Sequence, residues 1–289
     1  MDALLIDKQR MRRSFERAAA SYDQVAVLQR AVAERMAERL QLIKFTPVAM
    51  LDAGCGTGYA RNLLQQRYKG ARLIELDIAL GMLRVARGVR PWWQKFLPGS
   101  ASGVDYVCGD LESLPLQAGS VDLAWSNLAL QWCNDLDATF SGVRRVLAPN
   151  GLFMFSTFGP DTLKELRQAF GQVDGYTHVS RFADMHDIGD ALMRVGFAEP
   201  VMDMEYFTLT YDSVSGLMRD LKALGAHNAT QGRRQGLAGK TAWHRMEAEY
   251  EKLRCDGRLP ATYEVVYGHA WAPAQLPDGR QVVNFVRKK

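Results

Sequence analysis

The chain has 289 residues, of which 47% are hydrophobic and 24% charged, and its formal net charge is +4. This composition is ordinary for a folded globular protein, and the length suits about two domains or one large domain with additions. It excludes collagen-like, disordered and disulfide-stapled folds, and no apolar run approaches the roughly 18 residues of a membrane span. The early charges at the amino end are also atypical of a secretory signal.

Cysteine usage and charge restrict the compartment and the partners. The four cysteines are far apart, without the spacing of a zinc site, so we expect no metal and a reducing cytoplasm. They are Cys55, Cys108, Cys133 and Cys255. An isoelectric point near 8.9 is too mild to indicate nucleic-acid binding by itself, but it permits an acidic partner.

Hydrophobic periodicity predicts helices and strands in alternation along the first half of the chain. A helix is expected over residues 8–44, where apolar residues recur every three or four positions, and a buried strand over residues 48–52. Further strands are predicted at residues 71–77, 104–108, 121–126 and 152–157, and helices at 59–68, 80–87 and 136–147. This alternation is typical of an α/β fold with a parallel sheet covered on both faces.

The second half has a looser pattern. Helices are predicted at residues 161–170, 185–195, 213–224 and 241–253, and strands at 202–211 and 262–271. We therefore expect an N-terminal helical lid (1–45), a ligand-binding core (46–211), a helical cap (212–260) and a C-terminal segment that completes the sheet (261–289).

A glycine-rich turn follows the first predicted strand, at residues 51–58, which read LDAGCGTG. Gly54, Gly56 and Gly58 would let the backbone turn tightly and let a ligand approach the amides closely. Acidic residues follow at the ends of the next two predicted strands. Asp77 lies 19 positions after Gly58, where an acid can bind the hydroxyls of a ribose, and Asp110 suits an adenine amino group.

The spacing of the glycines argues against a dinucleotide site, because G-x-G-x-x-G would need glycine where Tyr59 stands. Together with DIALGML at 77–83, VDLAWSN at 121–127 and RVLAPNG at 145–151, the turn resembles that of the class I S-adenosylmethionine-dependent methyltransferases. That resemblance implies a doubly wound, mainly parallel seven-stranded sheet and S-adenosylmethionine as cofactor. The residues it implies for the cofactor are Asp52, Gly54, Cys55, Gly56, Gly58, Asp77, Ile78, Met82, Asp110, Leu111 and Asn127.

Segments outside that core resemble the malonyl-carrier-protein O-methyltransferases of biotin synthesis. They are FERAAASYD at 15–23, NLALQWCND at 127–135, TFGPDTLKEL at 157–166, LKALGAHN at 221–228 and GLAGK at 236–240. The resemblance implies methylation of the free carboxylate of a malonyl thioester on acyl carrier protein. The ester masks a charge, so that fatty-acid synthesis enzymes can elongate the chain toward pimelate.

Three residues are candidates for the reaction itself: Tyr22, Gln131 and Trp132. None of the side chains in residues 127–132 titrates near neutral pH, which suits a nucleophile that is already ionised, such as a carboxylate. The Asn/Asp-Pro-Pro-aromatic element common in nucleobase methyltransferases is absent there. An arginine should pair with the substrate carboxylate, and Arg167 and Arg181 are possible.

Two other functions stay open at this stage. One is methylation of a free small molecule, such as a quinone or an organic acid. The other is the role of a methyltransferase-like assembly or hydroxylating protein, which the intact Thr57 in the glycine turn disfavours. Electrostatic docking of an acidic carrier protein would favour the carrier-bound substrate, and Arg233 and Arg234 are the expected local contact.

Overall fold

The computed structural model describes residues 5–88, 103–226, 228–230, 232 and 239–274. Within them, seven strands form one sheet in the order β3-β2-β1-β4-β5-β7-β6. The strands are β1 (Ala49–Ala53), β2 (Arg72–Asp77), β3 (Val104–Cys108), β4 (Val121–Asn127), β5 (Leu147–Phe158), β6 (Ala198–Tyr211) and β7 (Leu259–Trp271). The first five are parallel, whereas β7 runs antiparallel to both β5 and β6. The predicted mainly parallel seven-stranded sheet is confirmed.

Helices cover both faces of this sheet. They are α1 (Lys8–Ala18), α2 (Tyr22–Val25), α3 (Val27–Gln41), α4 (Ala60–Arg67), α5 (Leu80–Arg87), α6 (Leu136–Val146), α7 (Lys164–Gly171), α8 (Met185–Arg194), α9 (Val214–Ala223) and α10 (Lys240–Glu251). No helix within the described residues is long and apolar enough to cross a membrane.

The core follows the alternation of a strand that is buried on both faces. In β1, Met50 packs with the layer of α3 and α4, whereas its neighbour Leu51 packs with the layer of α6 and α8. Because successive side chains of a strand point to opposite faces, a nearly continuous apolar run can supply both layers. This explains why the parallel strands could be recognised from sequence.

The predicted single helix over residues 8–44 is wrong: this segment forms three helices. Helix α1 ends at Ala18 and α2 ends at Val25, before the non-helical dihedral angles of Ala26, although neither break contains glycine or proline. The reason is tertiary. Ala18 packs against Met82 beside the end of β2, whereas Val32 packs in the helical layer over the sheet. One straight helix cannot bury residues at both of these places.

Helices α9 and α10 lie in the chain between β6 and β7, as the predicted cap requires. Leu217 of α9 and Tyr250 of α10 are buried in the same apolar cluster as α3 and α7. The Tyr250 hydroxyl also donates a hydrogen bond of 2.8 Å to the carbonyl of Pro260, at the start of β7. The cap is therefore packed onto the sheet layer, while the proposed division into domains stays a prediction.

Candidate active site

The glycine turn lies at the carboxyl end of β1, beside β4. Here the strand order reverses direction, which is where open α/β sheets bind ligands. The amides of Gly54 and Cys55 both donate to the carbonyl of Leu76, at 2.8 and 2.9 Å, and so tie the turn to β2. Gly54 has a φ of 82°, and a β-carbon there would lie 2.4 Å from that of Ala129. The turn therefore requires glycine for both conformation and space.

Asp77 organises this turn from the end of β2. Its carboxylate accepts hydrogen bonds from the amide of Gly56 at 3.0 Å and from the amide of Ala79 at 2.8 Å. Burial raises the pKa of Asp77 to about 6, even though these two hydrogen bonds favour the ionised form. At neutral pH Asp77 is an ionised, nearly buried acceptor at the edge of a cavity.

A cavity of about 110 Å³ opens at this turn and contains most of the predicted site residues. Those that line it are Tyr22, Gly54, Gly56, Asp77, Ile78, Met82, Asp110, Leu111, Asn127, Gln131 and Trp132. We call this space the donor cavity. It brings together residues from the ends of four neighbouring strands or the loops after them, which the sequence analysis had placed at one sheet edge.

Three predicted cofactor residues, Asp52, Cys55 and Gly58, are not among those that line the donor cavity. Asp52 is 1% exposed, and burial next to the carboxylates of Glu75 and Asp77 raises its pKa well above the ordinary value. A β-carbon on Gly58 would lie 2.8 Å from the guanidinium of Arg61. In this structure the three residues lie within or behind the turn.

Helix α1 supplies cavity residues that the sequence analysis missed. Lys8, Met11 and Phe15 all line the donor cavity, and the Lys8 ammonium lies 3.0 Å from Asp110 and 2.6 Å from Glu112. Phe15 belongs to a segment that carried the family resemblance, so its neighbourhood offered a signal. Lys8 offered none, because its two acidic partners lie more than 100 positions away in the chain.

The end of β4 is held by an internal polar network. The Asn127 amide donates to the carbonyl of Gln29 at 3.0 Å and accepts from the Ser156 hydroxyl at 2.8 Å. The next turn presents Gln131, whose amide donates to the carbonyl of Leu128 at 2.6 Å. These bonds fix the loop that carries Gln131 toward the cavity.

Aromatic contacts complete the wall on this side. The ring of Trp132 packs edge-to-face against Phe15, with centroids 5.1 Å apart. Tyr22 lies across the same cavity, where burial together with the charges of Asp77 and Asp23 raises the pKa of its phenol. Tyr22 is therefore a neutral hydrogen-bond donor at physiological pH, not a base.

A second and larger cavity, of about 760 Å³, lies beside the donor cavity, and we call it the acceptor chamber. The two share one wall, made of Gln29, Gln131, Trp132, Phe158, Leu224 and Ala226. None of these six described residues has a side chain that titrates near neutral pH. Gln131 and Trp132 therefore lie where the contents of the two cavities would meet, and their role in the reaction stays a prediction.

The acceptor chamber is mostly apolar, with lining from α7, α9 and β6, and it carries a few charged groups. The described residues that contribute cationic or titratable basic side chains are Arg10, His178 and Lys222. Arg167 and Arg181, the sequence candidates for a carboxylate partner, do not line it. The guanidinium of Arg167 instead donates to the carbonyls of Pro160 and Thr162, at 2.8 and 3.1 Å.

Comparison with known proteins defines the class first. A family profile described as a methyltransferase domain matches residues 51–155, which span β1 to β5. A putative methyltransferase structure from Bacillus halodurans has the same fold, with a TM-score of 0.57 at 17% identity, covering 83% of this chain and 99% of that one. The predicted class of enzyme, an S-adenosylmethionine-dependent methyltransferase, is confirmed.

Curated relatives define the family. A malonyl-[acyl-carrier protein] O-methyltransferase from Gallionella capsiferriformans is 61% identical over 274 residues, covering 95% of this chain and 94% of the relative. One from Methylovorus is 58% identical over 290 residues, covering 98% and 96%. This chain belongs to the malonyl-[acyl-carrier protein] O-methyltransferase family, as its sequence motifs predicted.

Proposed function

We propose that this enzyme transfers a methyl group to the free carboxylate of a malonyl thioester on acyl carrier protein, giving the methyl ester. The observation that carries the proposal is the shared wall between the donor cavity and the acceptor chamber, whose six described residues have no titratable side chain. A carboxylate, with a pKa of about 4, is ionised at neutral pH and needs no base. An amine or a phenol as nucleophile would need one.

The donor cavity has the chemistry that S-adenosylmethionine requires. Asp77 offers charged acceptors to the ribose hydroxyls, and Asp110 offers one to the adenine amino group. Ile78, Met82 and Leu111 supply apolar surface for the flat base. We assign the glycine turn, including Asp52, Cys55 and Gly58 behind it, to shaping this site.

When bound, S-adenosylmethionine would supply a methyl group on a sulfonium. A carboxylate oxygen would attack this methyl carbon from the side opposite the sulfur, the carbon–sulfur bond would break as the ester bond forms, and S-adenosylhomocysteine would leave as a neutral thioether. In this proposal Gln131 and Trp132 exclude water and position the carboxylate at the shared wall, and the neutral Tyr22 phenol donates a hydrogen bond on the donor side. Correct placement of two reactants lowers the barrier without any proton transfer.

The acceptor chamber supports a carrier-bound substrate over a free small acid. Free malonate would leave most of a largely apolar 760 Å³ space unfilled, whereas a malonyl group on a long thioester arm would fill more of it. The four cysteines are free, which suits a reducing compartment, so we place the reaction in the cytoplasm with the acyl carrier protein.

The test is a methyl-transfer assay with labelled S-adenosylmethionine against malonyl-carrier protein, malonyl-coenzyme A and free malonate. We expect alkali-labile label on malonyl-carrier protein, weaker transfer to coenzyme A thioester and little to malonate. Acetyl-carrier protein, which lacks the free carboxylate, is the matched control and should accept no label. Transfer to free malonate at an equal kcat/KM, or alkali-stable label on the protein, would overturn the proposal.

A further inference from the structure

Three arginines form one face of α1, and none of them takes part in the contacts described above for the donor cavity. Arg10, Arg13 and Arg17 are spaced three and four positions apart, so they project on the same side of the helix. All three are exposed, and they line a surface groove of about 370 Å³ together with Asp7 and Gln9. We call this surface the α1 groove.

The cationic groups of the α1 groove are not neutralised within the described part of the chain. No acidic side chain there lies within 4.0 Å of the guanidinium of Arg10, Arg13 or Arg17. The carboxylate of Asp7, which also lines the groove, accepts a hydrogen bond of 3.0 Å from the Arg10 amide and caps the helix. Three guanidinium groups on one face without an acidic partner among the described residues favour an anionic partner.

This face is held in a fixed position relative to the active site. On the neighbouring face, α1 buries Met11, Ser14 and Ala18, and Phe15 packs against Trp132 in the shared wall. Because α1 contributes to both the α1 groove and the wall of the donor cavity, a partner bound to the groove would have a fixed position relative to the reaction centre.

Arg10 connects the groove with the acceptor chamber, because it lines both. The chamber in turn meets the donor cavity at the shared wall. A continuous series of surfaces therefore leads from the exposed arginines to the position of methyl transfer. An anionic protein docked on the groove could extend a flexible arm along this path.

We propose that the α1 groove is the docking surface for the acidic carrier protein, with Arg13 and Arg17 meeting its acidic side chains and Arg10 meeting the phosphate that begins its thioester arm. This inference rests on the proposed function. Planar guanidinium groups suit both carboxylates and phosphates, since each can donate two parallel hydrogen bonds. Arg233 and Arg234, the sequence candidates for docking, lie outside the described residues.

The test compares two double variants that change net charge equally. Arg13→Glu with Arg17→Glu alters the α1 groove, whereas Arg12→Glu with Arg245→Glu alters exposed arginines outside it, and either pair takes the formal charge from +4 to 0. Each enzyme is assayed with malonyl-carrier protein and with malonyl-N-acetylcysteamine, a small thioester without protein or phosphate.

We expect the groove variant to lose about tenfold or more in kcat/KM for malonyl-carrier protein, chiefly through KM, because steering by charge acts on association. Its activity with the small thioester should stay within about twofold of wild type, and the control variant should stay near wild type with both substrates. Added salt should narrow the difference, since the screening length falls to about 3 Å at 1 M.

An equal loss in the control variant, an unchanged groove variant, or an equal loss with the small thioester would each overturn the docking assignment. Failure of the proposed function would appear differently, as a wild-type enzyme that methylates neither malonyl substrate. If the wild type is active on both substrates and the groove variant has the same activity, the docking assignment is wrong and the proposed function is unaffected.

Discussion

The position of Asp77 predicts that donor binding is sensitive to pH. Its carboxylate lies at the edge of the donor cavity, and burial raises its pKa from 3.8 to about 6. An ionised Asp77 accepts hydrogen bonds from a ribose, whereas the protonated acid has lost its charge and one acceptor site. Affinity should therefore be constant above about pH 7 and should fall as the pH passes below 6.

The magnitude follows from the fraction of Asp77 that is protonated. One pH unit below the pKa, about nine in ten carboxyl groups carry a proton, so at pH 5 the apparent Kd should rise about tenfold if only the ionised form binds. The folded protein itself is not weakened by this group. A carboxyl whose pKa is raised on folding binds protons more tightly in the native state, so its contribution to stability increases as pH falls from 6 to 4.

Isothermal titration with S-adenosylhomocysteine between pH 5 and 8 measures this dependence, with circular dichroism as a check on folding. Asp77→Asn is the matched variant. It should bind about 10- to 150-fold more weakly at pH 7.5, as expected for loss of charged hydrogen bonds worth ~1.5–3 kcal/mol, and should show no step near pH 6. A flat profile in the wild type, or the same step in the variant, would refute the assignment of Asp77 to the ribose.

Three further outcomes test the glycine turn, its support and the transfer step. Gly54→Ala should destabilise the protein by about 1–3 kcal/mol, because the new methyl group would lie 2.4 Å from a neighbouring β-carbon. Gly70→Ala, at a similar φ but in open space, is the control and should cost about 1 kcal/mol or less. Thermal unfolding of the two variants measures the difference. Arg61→Met should lower the free energy of unfolding, measured in urea, by about 3–5 kcal/mol, because it leaves the fully buried Glu75 carboxylate unpaired. Arg72→Met, which breaks an exposed ion pair, should lower it by less than about 1 kcal/mol. An equal cost for both arginines would contradict the buried-charge argument. Single-turnover transfer with both substrates saturating should vary less than about twofold between pH 6 and 8, and a rate that follows one ionisation near 7 would instead indicate a protein base.

The donor side of the site was predictable because its signals are local. The glycine turn follows a short strand that is apolar except for Asp52, and Asp77 lies at a nearly fixed distance after the turn in any chain that makes this strand-helix-strand crossover. Parallel strands end at the same sheet edge, so residues such as Asp110 and Asn127 could be placed together without knowing their contacts. Interactions within one crossover depend little on distant parts of the chain.

The breaks in the amino-terminal helices were not predictable in this way. Residues 8–44 keep a helical period throughout, and only the requirement that Ala18 pack at the end of β2 while Val32 packs on the sheet forces the chain to turn. Lys8 reaches the donor cavity through the same packing, with its ion pair to Asp110 as the result. Local propensity is overridden where one segment must bury its residues against two different surfaces.

The acceptor chamber depends still more on long-range structure, and this is why sequence motifs identified the donor before the substrate. Its wall includes Gln29 of α3, Leu166 of α7, Leu209 of β6 and Leu221 of α9, which no single motif connects. They come together only because β7 returns antiparallel between β5 and β6, carrying the cap over the sheet edge. A glycine turn binds the same donor in many enzymes, so the substrate must be selected by such assembled surfaces. We expect this selection at the shared wall, where Gln131 and Trp132 border both cavities and none of the described side chains takes a proton near neutral pH.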